Sequence, residues 1–340
     1  MTPDASTPNR RILSGMRSTN PRLHIGNYEG ALRNWVDLQN QGYEMFCMVA
    51  DLHALTTMYE DAAAVSTNAR AVAKDFVAAG IDPAKSTVFV QSHVPEHSEL
   101  HVLFSMMTPI GWLERVPTYK EKQVDMEAAE HGGDREPYGL LGYPVLQTAD
   151  ILLYKPYAVP VGRDQAPHLE IGNDIGARFN RLYNAEVFPR YRYMIPEDET
   201  RAKLPGLDMR KMSKSYDNCI YLSDTEDETA AKVKSAFTTP TKIRKTDPGV
   251  PEGCAVCQYL KLYSPNWKEQ WQEDVDGVRG CMQNKRECTE AVNEYLRPIR
   301  ERRAAISDDD IEDILTAGAE RAREVAGATM SEVRAAMGMY

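Results

Sequence analysis

Two short segments combine residue types and spacing suited to holding phosphate. His24-Ile25-Gly26-Asn27 opens a helical pattern that runs from residue 25 to 40. Backbone N–H groups and the helix dipole favour an anion at such a start. Gly26 permits close approach, and the side chains of His24 and Asn27 carry donors. An ordinary capped helix with a surface histidine is the plain alternative. Lys211-Met212-Ser213-Lys214-Ser215 sets two ammonium groups three residues apart with hydroxyls nearby. It lies in LPGLDMRKMSKSYDN (204–218), where Pro, Gly and Asp mark an exposed loop. A solvated basic turn has the same composition. Neither G-x-x-x-x-G-K-S/T nor G-x-G-x-x-G occurs, so the common phosphate cradles are absent.

Two further clusters could bind metal. Cys254, Cys257, Cys281 and Cys288 supply four thiolates, enough for a 4Fe–4S cluster or tetrahedral zinc, with four partly buried free thiols as the alternative. His93, His97, Glu99 and His101 form H-x-x-x-H-x-E-x-H, and His97 and His101 share a helix face. A helix packed on a sheet accounts for them equally well.

The elements that position these groups read as α/β in the first half. RILSGM (11–16), MFCMVAD (45–51) and TVFVQSHV (87–94) are apolar strand-like runs, and YAVPVG (157–162) is a further one. Helical spacing follows in 25–40, 61–80, 97–114 and 163–183. Alternation of this kind implies right-handed crossovers and a doubly wound, Rossmann-like parallel sheet with ligands at the strands' carboxyl ends. The polar stretch 116–139 reads as a connecting excursion over the site. Beyond about residue 222 helical segments with charged faces take over, which predicts a catalytic domain (1–205), a basic loop (206–218) and a helical domain (219–340). Asp308, Asp309 and Asp310 suit a helix N-terminus.

Composition bounds the function. The 340 residues, 42% hydrophobic and 26% charged, exclude a disordered, collagen-like or coiled-coil chain. A net charge of -10 argues against a histone-like sheath over nucleic acid, though a local basic groove remains compatible. No apolar run approaches the ~20 residues of a membrane helix. The opening MTPDASTPNRR is unlike a signal peptide, so a cytoplasmic location without membrane attachment is expected.

HIGN near the start and KMSKS beyond the middle, flanking a parallel sheet, resemble the paired signatures of class I aminoacyl-tRNA synthetases. YPVLQTADILLYKPYAVPVGRDQAPHLEIGNDIGARFN (143–180), with SGMR (14–17), GALRNW (30–35), ADLHALT (50–56) and TYKEK (118–122), resembles the tryptophanyl-tRNA synthetases over residues 11 to about 235. The resemblance implies activation of tryptophan by ATP with Mg2+ and transfer to tRNA(Trp), by a homodimer that binds no DNA. Its helical, anticodon-binding domain would offer Lys242, Arg244, Lys245, Lys285 and Arg286 as candidate RNA contacts. By the same resemblance Asp150 accepts the indole N–H, with a helix N-cap as the alternative reading. Tyr143 and Gln165 hold the amino and carboxylate ends of the amino acid, and Val159, Val161 and Gly162 line its pocket. Gly162, Arg163 and Asp164 lie near the ATP ribose, Lys122 reaches the phosphates, and Leu204 contacts adenine. The stretch Lys211, Met212, Ser213, Lys214 and Ser215 lies on ATP. His24, Asn27, Lys122, Lys211 and Lys214 are the implied catalytic groups.

The chain departs from the family at several of these places. Arg17-Ser18-Thr19 stands where most bacterial members have Gln-Pro-Ser, and one extra residue precedes His24, which itself replaces Thr. The resemblance still implies that Arg17, Ser18 and Thr19 lie on ATP, with Arg17 able to contact phosphate, and that Gln147 lies on tryptophan. Gln147 replaces Met, and Y-x-x-x-Q-x-x-D also resembles the substrate motif of tyrosyl-tRNA synthetases, the alternative activity. A non-catalytic, RNA-binding or regulatory paralogue is a further alternative. Some family members hold a 4Fe–4S cluster, which favours iron over zinc for the cysteines. In those the C-x-x-C pair comes last, whereas here it comes first and Ala291 takes the last place.

Overall fold

The computed structural model describes residues 10–116, 137–162, 166–195, 201 and 203–339. Its centre is a parallel sheet of β1 (Arg11–Arg17), β2 (Glu44–Ala50), β3 (Thr87–Val90), β4 (Ala158–Pro160) and β5 (Arg192–Met194), in the order β3-β2-β1-β4-β5. Every β2 residue after Glu44 is buried, as a strand covered on both faces requires. β1 pairs with β2 from Arg11↔Glu44 to Arg17↔Ala50 and meets β4 at Ile12↔Ala158. Strand order therefore reverses between β1 and β4, and a crevice opens there at their carboxyl ends. The doubly wound reading holds. The edge strand β5 carries no sequence signal, because three residues are too few to display alternation.

The first half contains α1 (Ile25–Asn27), which passes through a π-helical turn (Tyr28–Leu32) into α2 (Arg33–Asn40). It also contains α3 (Asp51–Met58), α4 (Ala62–Ala79), α5 (Glu96–Ser105), α6 (Ile110–Leu113), α7 (Tyr138–Leu153) and α8 (Ala166–Tyr183). The stretch 97–114, read as one helix, is two: Pro109 lacks an N–H and cannot continue the α5 ladder. Residues 117–136 of the connecting excursion lie outside the described residues.

The second half is helical among its described residues: α9 (Glu226–Ser235), α10 (Ala255–Tyr263), α11 (Trp267–Val275), α12 (Cys281–Ala305) and α13 (Asp308–Met337). α13 starts with a capping box in which Ser307 and Asp310 bond reciprocally. It then returns to the sheet and covers the β3 edge. Gly318 permits this approach, since a Cβ there would sit 1.8 Å from the Val88 carbonyl oxygen.

One apolar core runs continuously from the sheet (Ile12, Met45) through Trp35 and Phe76 to Tyr259 of α10 and Leu296 of α12. The other, on the opposite face, joins Phe46, Phe89 and Tyr154 to Ala322, Ala326 and Met330 of α13. No helix among the described residues is long and apolar enough to cross a membrane.

Candidate active site

The crevice between β1 and β4 holds a cavity of about 430 Å³. Leu13, Ser14, Gly15 and Arg17 of β1 and Val159 to Gly162 at β4 supply its strand side. Gly30, Ala31, Asn34 and Trp35 come from the helix after His24, and Tyr143, Gln147, Asp150 and Ile151 come from α7. The cavity thus gathers Tyr143, Gln147, Asp150, Val159, Val161 and Gly162 with Arg17, which is more than a hundred positions away from them.

Asp150 sits in the last turn of α7 and is 2% exposed, so the helix N-cap reading is corrected. A carboxylate there opposes both desolvation and the negative end of the helix dipole. Three donors offset this. Oδ1 accepts from Gln91 Nε2 and His97 Nδ1, each at 2.7 Å, and Oδ2 accepts from His53 Nε2 at 2.8 Å. Burial by itself would raise the carboxyl pKa, but the His53 and His97 hydrogen bonds outweigh it and hold it well below the usual range. Asp150 is accordingly an ionised acceptor. His97 in turn meets Tyr154 Oη through Nε2 at 2.9 Å. His97 is thereby a carboxylate partner on a helix packed against the sheet, as the non-metal reading of the histidine pattern has it.

His53, His168, Trp35 and Thr56 line the cavity without having been assigned from sequence. His53 lies within ADLHALT, but nothing local ties it to a residue 97 positions away. His168 is buried, and Tyr143 Oη lies 3.5 Å from its Nδ1.

At the start of the helix, His24 is the N-cap of α1. Its Nδ1 accepts from the Asn27 backbone N–H at 3.2 Å, while the Asn27 side-chain oxygen accepts from the His24 N–H at 3.0 Å. Burial lowers the His24 pKa to about 4. With Nδ1 accepting and the ring neutral, Nε2 carries the proton and is the atom that can donate. The KMSKS loop lies against this cap: a Cβ on Gly26 would be 3.1 Å from Met212 Sδ. The chain after the loop pairs here too, with Ile25 N donating to Ile220 O at 2.8 Å. Asn218 braces the loop, accepting from Ser213 N at 2.8 Å and donating to Asp208 Oδ1 at 2.7 Å and Lys211 O at 3.1 Å. Met212 is buried; Lys211 and Lys214 are exposed. The structure therefore brings together the two phosphate-binding candidates, 187 positions apart between His24 and Lys211.

Other assigned residues lie elsewhere. Ser18 and Leu204 are buried and Thr19 half-buried, and none of them lines the cavity. Lys122, Arg163, Asp164, Gln165 and the Ser215 side chain lie outside the described residues. Among the described residues no group of three His, Cys, Asp or Glu side chains is placed to hold a metal ion, the four cysteines included. Cys254 and Cys257 instead hydrogen-bond to each other at the start of α10. That contact lowers the Cys254 thiol to about 7 and pushes Cys257 up. Cys288 is buried and Cys281 half-buried. Of the candidate RNA-contacting cations, Lys242 is consumed internally, donating to Asp247 O at 2.8 Å and Asp274 O at 3.0 Å. Lys285 donates to Lys234 O at 2.7 Å, while Arg286 is well exposed.

A parallel sheet with its crevice at the strand switch point, and HIGN and KMSKS segments held edge to edge, is the arrangement of a class I synthetase. A family model for tRNA synthetases class I (W and Y) matches residues 5–298, and the chain belongs to that family. It is 45% identical to the tryptophan–tRNA ligase of Thermotoga maritima, over 97% of this chain and 99% of that one. It is 40% identical to that of Aquifex aeolicus, over 97% and 100%. Its fold matches a tryptophanyl-tRNA synthetase from Campylobacter jejuni solved with ADP and tryptophan, at TM-score 0.85 and 34% identity, over 97% of this chain and all of that one. A tyrosyl-tRNA synthetase from Archaeoglobus fulgidus, at 18% identity and TM-score 0.64, shares the fold alone.

Proposed function

We infer that the protein is a tryptophan–tRNA ligase. It activates tryptophan with ATP, giving tryptophanyl-adenylate and pyrophosphate, then transfers tryptophan to tRNA(Trp). The observation that carries the reading is a buried, ionised Asp150 in the wall of a cavity that is lined as well by the helix His24 begins, with the neutral His24 cap meeting the KMSKS loop. Near-full-length similarity to tryptophan–tRNA ligases supports tryptophan over tyrosine.

In this proposal Asp150 accepts the indole N–H, so a substrate lacking that donor leaves a buried charge without its partner. Tyr143 and Gln165 hold the amino and carboxylate ends, while Gln147, Val159 and Val161 shape the wall. ATP enters as its magnesium complex. Its phosphates meet the α1 N–H groups, His24 Nε2, Asn27 Nδ2, Arg17 and Lys122, and its nucleoside lies by Gly162, Arg163, Asp164 and Leu204. The tryptophan carboxylate attacks the α-phosphorus in line and pyrophosphate leaves. No protein nucleophile is needed, so the protein's part is positioning and stabilising charge on the leaving group, through Lys211 and Lys214 above all. The helical part (219–340) reads the anticodon of tRNA(Trp) for a homodimeric cytoplasmic enzyme.

The test is amino-acid-dependent ATP–pyrophosphate exchange with tryptophan, tyrosine and phenylalanine supplied separately. Exchange with tryptophan alone is expected. Exchange with tyrosine would reassign Gln147 and Asp150 to phenol recognition. Folded protein that exchanges with none of the three would be a non-catalytic paralogue.

A further inference from the structure

Glu29 follows the His24 cap by one turn and a half and lies within the π-helical turn, yet its carboxylate is completely buried. Three donors reach it from three separate parts of the chain. Oε2 accepts from Arg201 Nη1 at 3.1 Å, just ahead of the KMSKS loop. Oε1 accepts from Tyr295 Oη of α12 at 2.6 Å and from Tyr263 Oη of α10 at 3.3 Å. The tyrosines also pack on one another, with the Tyr263 and Tyr295 ring centroids 4.6 Å apart and Tyr28 edge-on to Tyr295 at 6.1 Å. One α10 turn earlier, Tyr259 Oη donates to Pro205 O at 3.1 Å, a second tie between this helix and the base of the loop.

A buried ion pair rarely adds stability over well-packed apolar residues, because desolvation cancels much of the attraction. What it does impose is geometry. The buried Glu29 carboxylate keeps its donors only while α10, α12 and Arg201 stand where they do, and π-helical turns recur at functional positions. Any shift of the helical half must drag the α1–α2 helix or break these bonds, and the phosphate-facing N–H groups of α1 move with that helix.

We propose that Glu29 is a positioning residue through which the helical half, by way of Tyr263 and Tyr295, sets the phosphate-binding helix for adenylate formation. The proposal rests on the reading of the site as a tryptophan-activating centre.

Tyr295→Phe removes one hydroxyl and keeps the packed ring; Glu29→Gln keeps volume and removes charge. Both variants and their double are assayed by tryptophan-dependent ATP–pyrophosphate exchange, well below their melting temperatures. Each single variant is expected to lower kcat about tenfold, with KM for tryptophan within about twofold, since small misplacements far from the reacting atoms carry penalties of this size. The double variant should lose no more than either single one. A purely structural role would lower the melting temperature and leave kcat unchanged. Overturning results are Tyr295→Phe and Glu29→Gln with kcat near that of the unmodified protein, or losses that multiply in the double variant. Arg201→Lys, which leaves the tyrosines intact, should fall the same way and repeats the test should Glu29→Gln not fold. An unmodified protein that is folded but inactive would instead remove the functional reading, and this inference with it.

Discussion

At the residue scale the chemistry depends on which groups are kept charged and which neutral. Asp150 stays ionised because two histidines and a glutamine donate to it, whereas His24 stays neutral because burial disfavours its cation. The His24 effect has a sign that can be checked. Its pKa is about 4 in the folded chain and about 6.5 when unfolded, so on acidification the unfolded chain takes up the proton first. Stability from this group is complete above about pH 6.5 and is lost as pH falls towards about 4. Unfolding free energies from denaturant titrations between pH 7 and 4.5 should fall more steeply for the unmodified protein than for His24→Asn, by about 2 kcal/mol across the window. Lys214 is exposed and does not line the cavity around Asp150, and its proposed partner is ATP. Lys214→Ala should therefore lower the adenylation kcat by about a hundredfold while tryptophan affinity, measured by calorimetry, moves less than about twofold. Equal losses in both would contradict the assignment. Much of this scale was legible: His24, Lys211 and Lys214 announce themselves by type and spacing. The shell around Asp150 did not, because Gln91, His97 and His53 reach it from 59, 53 and 97 positions away.

At the scale of elements, four strands and most helices of the first half follow from apolar runs and helical spacing. β5 and the break at Pro109 show where that logic stops: the first is too short to have a period, and the second turns on one missing N–H. The role of α13 was not readable either. Its amphipathic pattern shows that one face is buried but not what buries it, and the partner is the β3 edge of the parallel sheet. Gly318 makes the consequence testable. Helix propensity alone would credit Gly318→Ala with about 1 kcal/mol of added stability. The new Cβ would instead overlap the Val88 carbonyl, a backbone atom in a strand that cannot yield. The substitution should destabilise by about 2–3 kcal/mol in urea unfolding, and a stabilised variant would show that α13 does not sit as described.

At the scale of the whole molecule, the two halves are fastened through shared apolar cores and buried polar ties. Asp75 of α4 accepts from Arg303 of α12 at 2.7 Å, and Arg334 of α13 pairs with Glu99 of α5. A sheet that shares its cores with α10, α12 and α13 should unfold with them. Fluorescence from Trp35, Trp267 and Trp271, which lie in both halves, and far-ultraviolet circular dichroism should report one coincident transition in denaturant. A separate early transition in fluorescence would mean that the helical half opens independently. By itself the sequence determined the class of chemistry and the parallel sheet that carries it, since HIGN, KMSKS and the strand–helix alternation are written in neighbouring residues. Only the tertiary structure decided which polar residues work together. It spent Lys242 on an internal bond, paired the Cys254 and Cys257 thiols with each other, and joined Glu29 to a tyrosine 266 positions away. The physical reason is that a buried charge is tolerated only beside its donors, and those donors are brought to it by long-range packing that no local spacing encodes.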